Sequence, residues 1–284
     1  MARQDYILTL SCPDTTGIVH RVSGVLFDLG CNILDAQQFG DSGSGRFFLR
    51  VHFSAPEGLG QGALNQRFET LGADFAMDWQ IHDASERARV MIMVSKQGHC
   101  LNDLLFRARS GQLPVEIVAV VSNHPDYAEM AASNGIPFHH LPVTPATKAE
   151  QERQVLALVD ELDVDLVVLA RYMQILSTDM CHALAGRAIN IHHSFLPSFK
   201  GARPYHQAHE RGVKIIGATA HYVTADLDEG PIIEQDIAHV DHTMTPDDLT
   251  QVGSDIESRV LARAVRSHVE HRVMQNGHRT VVFR

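Results

Sequence analysis

The sequence predicts an α/β protein of two unequal units. Three observations carry that expectation. The first 85 residues read as strand, helix, two strands, helix, strand. The remainder alternates apolar strands with amphipathic helices. A short polar stretch, Asp83-Ala84-Ser85-Glu86-Arg87, separates the two patterns. A chain of 284 residues has room for such a pair.

In the first unit, Tyr6 to Leu10 is a strand candidate, and Cys12-Pro13-Asp14-Thr15-Thr16-Gly17 is a turn with helix-start chemistry. Ile18, Val22, Val25, Leu26 and Leu29 then recur at helical spacing, and Gly30 ends that helix. Cys31 to Phe39 and Phe47 to Phe53 read as strands around the glycine-rich turn Gly40 to Gly45. A second helix is predicted over Gly60 to Leu71 and a strand over Phe75 to Ile81. The order βαββαβ is the ferredoxin-like pattern.

In the second unit, Ala88 to Val94 is a strand and Asn102 to Arg109 lies in the helix after it. Strands over Val115 to Val121 and Pro137 to Leu141 flank a helix over Pro125 to Ser133. Lys148 to Leu162 is helical, with Ala149, Val155, Leu156 and Val159 on its apolar side. Leu166 to Ala170 is continuously apolar, as suits a strand covered on both faces. A short helix over Met180 to Leu184 precedes a strand through Asn190, and Ile215 to Val223 and Ile232 to Val240 complete the sheet. Thr245-Pro246-Asp247-Asp248 opens a long helix: threonine caps, proline suits the first position, and acids favour the positive end. Thr280 to Phe283 is a last strand. The alternation implies a doubly wound, mostly parallel sheet with an antiparallel portion.

Composition bounds the function. Formal net charge is -10 and the pI is near 5.9, which argues against a nucleic-acid partner needing a basic face. Cys12, Cys31, Cys100 and Cys181 match no zinc or redox spacing and suggest no disulfide framework. The opening residues lead into no signal-peptide core, and no apolar run approaches the roughly 20 residues of a membrane helix. The expectation is a protein of the reducing cytoplasm, with no membrane partner and no metal.

One stretch carries chemistry. The apolar run Ala188 to Ile191 leads into Asn190-Ile191-His192. Residues i and i+2 of a strand share a face, so an amide donor and an imidazole aim at one point. Strand carboxyl ends are where ligands gather in doubly wound sheets. Asp228-Glu229-Gly230-Pro231 offers a carboxylate on a later loop that can orient or charge the ring. Donor, titratable ring and carboxylate together suggest acyl-group chemistry. The plainer readings stand beside it: one of 18 histidines packed or exposed, a strand-end asparagine, an ordinary turn. A regular strand would turn His193 to the opposite side from His192. Lys96-Gln97-Gly98-His99 is either a phosphate cradle or a plain turn, and its single glycine favours the turn.

Asn190-Ile191-His192 with Ser194-x-Leu196-Pro197, and the later Asp228-Glu229-Gly230-Pro231, resemble the folate-dependent formyltransferase family over roughly residues 88–284. The resemblance implies that Asn190, His192 and Asp228 are catalytic, with His221 in support. It places the folate against Arg171, Met173 and Leu176 and the loop Val223, Thr224, Ala225, Asp226, Leu227. Pro13-Asp14-x-x-Gly17-Ile18-Val19 and Asn32-Ile33-x-Asp35 resemble an ACT domain. ACT followed by a formyltransferase-like domain is the deformylase arrangement, and the run Phe199 to Ala208 resembles that branch. The division implied is a regulatory domain over 1–85 and a catalytic one over 86–284. The implied reaction is hydrolysis of 10-formyltetrahydrofolate, with folate as substrate and no further cofactor. Two alternatives are formyl transfer to a small amine such as glycinamide ribonucleotide, and an amino-acid sensor without turnover. An effector would sit at Asp14, Gly17 and Asn32, and such domains pair subunits into homo-oligomers.

Overall fold

The computed structural model describes residues 3–195 and 204–284. By internal contacts the chain divides into two compact units. One runs to Glu86 and includes Glu270–Asn276 and Thr280–Arg284; the other is Arg87–Val269 with Gly277–Arg279.

The first unit is built of β1 (Gln4–Pro13), α1 (Ile18–Asp28), β2 (Asn32–Asp41), β3 (Arg46–Ala55), α2 (Gln61–Asp74) and β4 (Asp78–Asp83). Its sheet has the order β2-β3-β1-β4 and every pairing is antiparallel. The expected βαββαβ pattern is present. Gly17 caps α1 at φ +96° and Gly30 follows it at φ +70°, conformations open to glycine at no steric cost. Ile18, Val22 and Leu26 lie buried on one face of α1 against Leu8, Leu10, Val51 and Phe53. β4 begins at Asp78 rather than Phe75, because the end of α2 consumes Phe75 to Met77 in a turn closed by Met77 N–H to Gly72 O, 2.8 Å.

The second unit contains β5 (Ala88–Val94), α3 (His99–Arg109), β6 (Val115–Ser122), α4 (Ala128–Ser133), β7 (Phe138–His140), α5 (Lys148–Glu161) and β8 (Leu166–Leu169). It continues through α6 (Thr178–Ala183), β9 (Ala188–His192), α7 (Pro204–Glu210), β10 (Ile215–Tyr222), β11 (Ile232–His239) and α8 (Pro246–Val269). The seven-stranded sheet runs β11-β10-β9-β8-β5-β6-β7. Pairings from β7 to β9 are parallel, and β10 and β11 add antiparallel strands beyond β9. The doubly wound, mostly parallel sheet is the predicted one. All four residues of β8 are buried, the reason its sequence is apolar throughout. Thr245 opens α8 as expected: its hydroxyl accepts from Asp248 N–H at 3.2 Å while the Asp248 carboxylate accepts from Thr245 N–H at 2.8 Å.

β12 (Val273–Asn276) and β13 (Arg279–Val282) form a terminal hairpin. A second domain over 86–284 would include it, whereas by internal contacts nearly all of its two strands group with the first unit. The buried Arg50 explains the grouping. Its guanidinium donates to the carbonyls of His271 at 3.1 Å and Glu270 at 3.0 Å. The four cysteines are free, and among the described residues no helix is long and apolar enough to cross a membrane.

Candidate active site

Asn190 and His192 close β9, at the carboxyl end of a strand in the parallel set. Across the antiparallel step, β10 sets His221 opposite Asn190 and Thr219 opposite His192. The connection from β10 to β11 then brings Asp228 back over this end. Two backbone features aim it. Asp228 itself sits at φ +57°, a region costly for a side-chain-bearing residue. Two residues on, a Cβ on Gly230 would stand 1.8 Å from the Tyr222 carbonyl oxygen, so only glycine lets the loop close against β10.

The four side chains meet. Asp228 Oδ2 lies 3.3 Å from His192 Nδ1, and Oδ1 lies 3.7 Å from His221 Nε2. Asn190 Nδ2 lies 3.2 Å from the same His221 Nε2. His221 Nδ1 is 2.9 Å from the Tyr222 carbonyl, which only accepts, so Nδ1 carries a proton. A neutral His221 ring therefore accepts from Asn190 at Nε2, and a protonated ring donates there to Asp228. Hydrogen bonds from His192 and His221 hold the Asp228 carboxyl well below the usual carboxylate range, against the opposing effect of burial. The sequence-predicted set is thus one constellation around an ionised acid, with His221 as a full member.

His193 departs from expectation. The strand ends at His192 and the chain bends, so the two rings stack with centroids 4.8 Å apart instead of facing opposite sides. Burial, reinforced by the charges of Arg171 and His192, pushes the His193 pKa down to about 4.

The residues expected at the folate divide into two groups. Met173 and Leu227 are exposed apolar side chains, 60% and 59% accessible. Thr224, Ala225 and Asp226 are exposed beside Leu227, and Thr224 Oγ1 donates to the Asp226 carbonyl at 3.0 Å. Leu176 and Val223 pack against the core cluster around Met91, Leu169 and Tyr172. Arg171 differs: its side chain is charged and buried. Arg171 and Met173 both adopt positive φ, at 63° and 56°, making a sharp turn after β8. In the first unit, Asp14, Gly17 and Asn32 are all exposed, with Asp14 and Gly17 in the turn before α1 and Asn32 opening β2. Leu196 and Pro197 of the motif, and residues 199–203 of the run ending at Ala208, lie outside the described residues.

Sequence reasoning missed a second polar network. Glu257 of α8 is 1% exposed and its carboxylate receives Tyr205 Oη at 2.6 Å and His99 Nε2 at 2.7 Å, with Arg171 Nε at 3.4 Å. Arg171 also donates to Gln97 Oε1 through Nε at 2.8 Å and Nη2 at 2.5 Å. The available signal was an acid on the buried stripe of α8 formed by Leu249, Gly253, Ile256 and Val260. His99, Cys100 and Glu257 stand close enough to ligate a metal ion. The arrangement suits hydrogen bonding better: burial pushes the Cys100 thiol up, and the neighbouring guanidinium repels a cation.

Residues 88–265 match the family described as formyl transferase, and residues 6–63 match the ACT domain. A protein of Corynebacterium sp. (strain P-1) named formyltetrahydrofolate deformylase is 53% identical over 98% of both chains. This chain belongs to the formyltetrahydrofolate deformylase family. The crystal structure of a deformylase from Burkholderia mallei agrees with it at a TM-score of 0.95 and 54% identity, over 99% of this chain and 100% of that one. A glycinamide ribonucleotide transformylase from Symbiobacterium toebii is 33% identical with a TM-score of 0.65. It covers 70% of this deformylase-family chain and 95% of its own.

Proposed function

We propose that the chain hydrolyses 10-formyltetrahydrofolate to formate and tetrahydrofolate. The observation that carries the reading is the convergence of an amide, two imidazoles and an ionised carboxylate at one strand end. Water adds to the formyl carbon as His192 takes its proton, and the oxyanion receives an N–H of Asn190. One preorganised donor of this kind is worth about 2.7–4 kcal/mol. His192 delivers a proton to the departing folate nitrogen, and the C–N bond breaks. Asp228 stays ionised and aligns the water. His221 fixes the Asn190 amide from behind.

The pterin is a flat ring that needs apolar walls and backbone partners. Met173 and Leu176 supply one wall, and the Val223 to Leu227 loop supplies the other, with Arg171 turning the backbone at the head of the first. The folate is substrate, and no separate cofactor takes part. The family likeness supports cytoplasmic one-carbon metabolism linked to purine synthesis.

Purified protein given the formyl folate alone is expected to release formate, and replacing His192 by alanine to cut turnover by about 10²–10⁴-fold with the fold retained. Product forming only when an amine is added would reject hydrolysis in favour of transfer. Full turnover in His192→Ala would remove that ring from the mechanism.

Residues 1–85 act as the regulatory domain, with an amino-acid effector at Asp14, Gly17 and Asn32, and they pair subunits into a homo-oligomer. The support is the ACT match and the exposure of the three residues. Calorimetry with glycine, methionine and other amino acids is expected to show one saturable heat. Flat titrations throughout would leave the domain as subunit glue only.

A further inference from the structure

In a doubly wound sheet the ligand crevice opens where the strand order reverses. Here the chain leaves β5 toward β6 and β7 on one side and returns to β8 on the other, so the reversal lies between β5 and β8. The segment after β5 carries Gln97 and His99, and the segment after β8 carries Arg171. His99 is the first residue of α3, an 11-residue helix whose cap, Gly98, makes no side-chain hydrogen bond. A helix start in that position favours an anion, typically a phosphate.

A carboxylate of the chain itself stands beside that start, on the His99 ring. Glu257 reaches from α8 to His99, Tyr205 and Arg171. The network is built rather than incidental. A Cβ on Gly253, one turn before Glu257, would stand 2.1 Å from Tyr205 Oη, so glycine clears the space that lets the hydroxyl reach the carboxylate. Burial opposes the charge on Glu257, yet His99, Arg171 and Tyr205 together hold its carboxyl below the usual range. Among the described residues, Arg171 Nη1 is buried with no acceptor. That spare donor belongs to an arginine whose charge Glu257 already balances.

We infer that Glu257 is a specificity residue: its carboxylate fills the anion-accepting turn at the sheet reversal and bars phosphorylated amine acceptors, leaving water as the nucleophile. The related structures on this fold named for phosphoribosylglycinamide formyl transfer handle an acceptor that carries a phosphoribosyl group. A phosphate entering the turn here would meet a buried carboxylate at hydrogen-bond range, a like-charge contact in a site of low dielectric. The inference rests on the hydrolytic reading.

The test uses the whole protein and two probes, inorganic phosphate and ribose 5-phosphate, at fixed ionic strength. Calorimetry measures binding, and formate release from the formyl folate measures inhibition. Wild type is expected to bind neither probe at millimolar concentration and to hydrolyse unhindered. Glu257→Gln keeps the shape and unbalances Arg171, whose unpartnered Nη1 can then take a phosphate oxygen. It is expected to bind ribose 5-phosphate at least about tenfold more tightly than wild type, with matching competitive inhibition. Tyr205→Phe keeps the carboxylate and is expected to exclude phosphate as wild type does. A folded Glu257→Gln protein as blind to phosphate as wild type would overturn the inference. So would competitive ribose 5-phosphate binding in wild type, a result that needs no variant to fold. Absence of formate release by wild type without amine would instead sink the hydrolytic reading and leave the anion measurement standing.

Discussion

Beside His192, His193 is kept neutral by its surroundings. Its folded pKa of about 4 lies below the ordinary histidine value of 6.5 because burial, Arg171 and His192 all disfavour the imidazolium, while the acids Glu257 and Asp228 only partly offset them. The sign of the linkage follows. Between pH 6.5 and 4 the unfolded chain binds a proton at this position that the folded chain refuses, so stability falls as pH drops through that window. Below about 4 both states are protonated and the penalty is constant. Replacing His193 by glutamine, which does not titrate, is expected to flatten this part of the pH dependence and to raise the melting temperature at pH 4.5 relative to wild type. A variant with the same slope as wild type across that window would show that the ring does not carry the penalty. Asn190, His192 and Asp228 were legible in the sequence because an i, i+2 pair and a turn acid keep their meaning in any strand. The stacking of His193 was not, because where a strand stops is set by the neighbouring strands: Thr219, opposite His192, donates its hydroxyl to the Ser194 carbonyl and draws the chain into its bend.

Among the elements, those with a period or a cap of their own were readable. β5 falls on Ala88 to Val94 as its apolar run predicts, and α8 follows its apolar spacing and acidic first turn, whereas α5 keeps Val155 and Val159 buried but leaves Ala149 exposed and buries Gln151 and Glu152. Elements that depend on a partner were not. The run to Ala208 gave no helical period, yet α7 forms over seven residues, and its Tyr205 is fixed by a carboxylate 52 positions away. β12 carries a plain Val-Met-Gln-Asn and becomes a strand through pairing with β13. The antiparallel placement of β10 and β11 likewise depends on register: Asn190 opposite His221 is a relation between strands, and neither strand's own sequence states it. The candidate site is built across that relation, which explains why its residues stand out in the sequence more readily than their geometry. Glu257 is the intermediate case. Its place on a buried stripe was readable, but its meaning required His99, Arg171 and Tyr205 to be seen around it.

For the whole molecule, the chain's last residues matter more than their position suggests. The first unit reads as self-contained, yet it encloses Arg50, which is 3% exposed and donates hydrogen bonds to carbonyls 220 and 221 positions away. Asp35, at 3.5 Å, is its carboxylate partner. Asn276 adds a bond from its amide to Asp41 at 2.7 Å, and the rings of His82 and His271 stack with centroids 3.6 Å apart. Ending the chain at Val269 removes both carbonyl acceptors. Hydrogen bonds to a charged group contribute about 1.5–3 kcal/mol each, and a domain's whole stability is about 5–15 kcal/mol. The shortened chain is therefore expected to melt in its first unit many degrees below the full-length protein, and the deficit should have one main source. Replacing a buried charge by an apolar residue of similar size is often neutral or stabilising, so Arg50→Met in the shortened chain should recover much of the lost melting temperature. The same substitution in the full-length protein should gain far less, because there the guanidinium is satisfied. Equal melting of the shortened and full-length chains, or no rescue by Arg50→Met, would show that the returning segment is a passenger and that the first unit stands on its βαββαβ core alone.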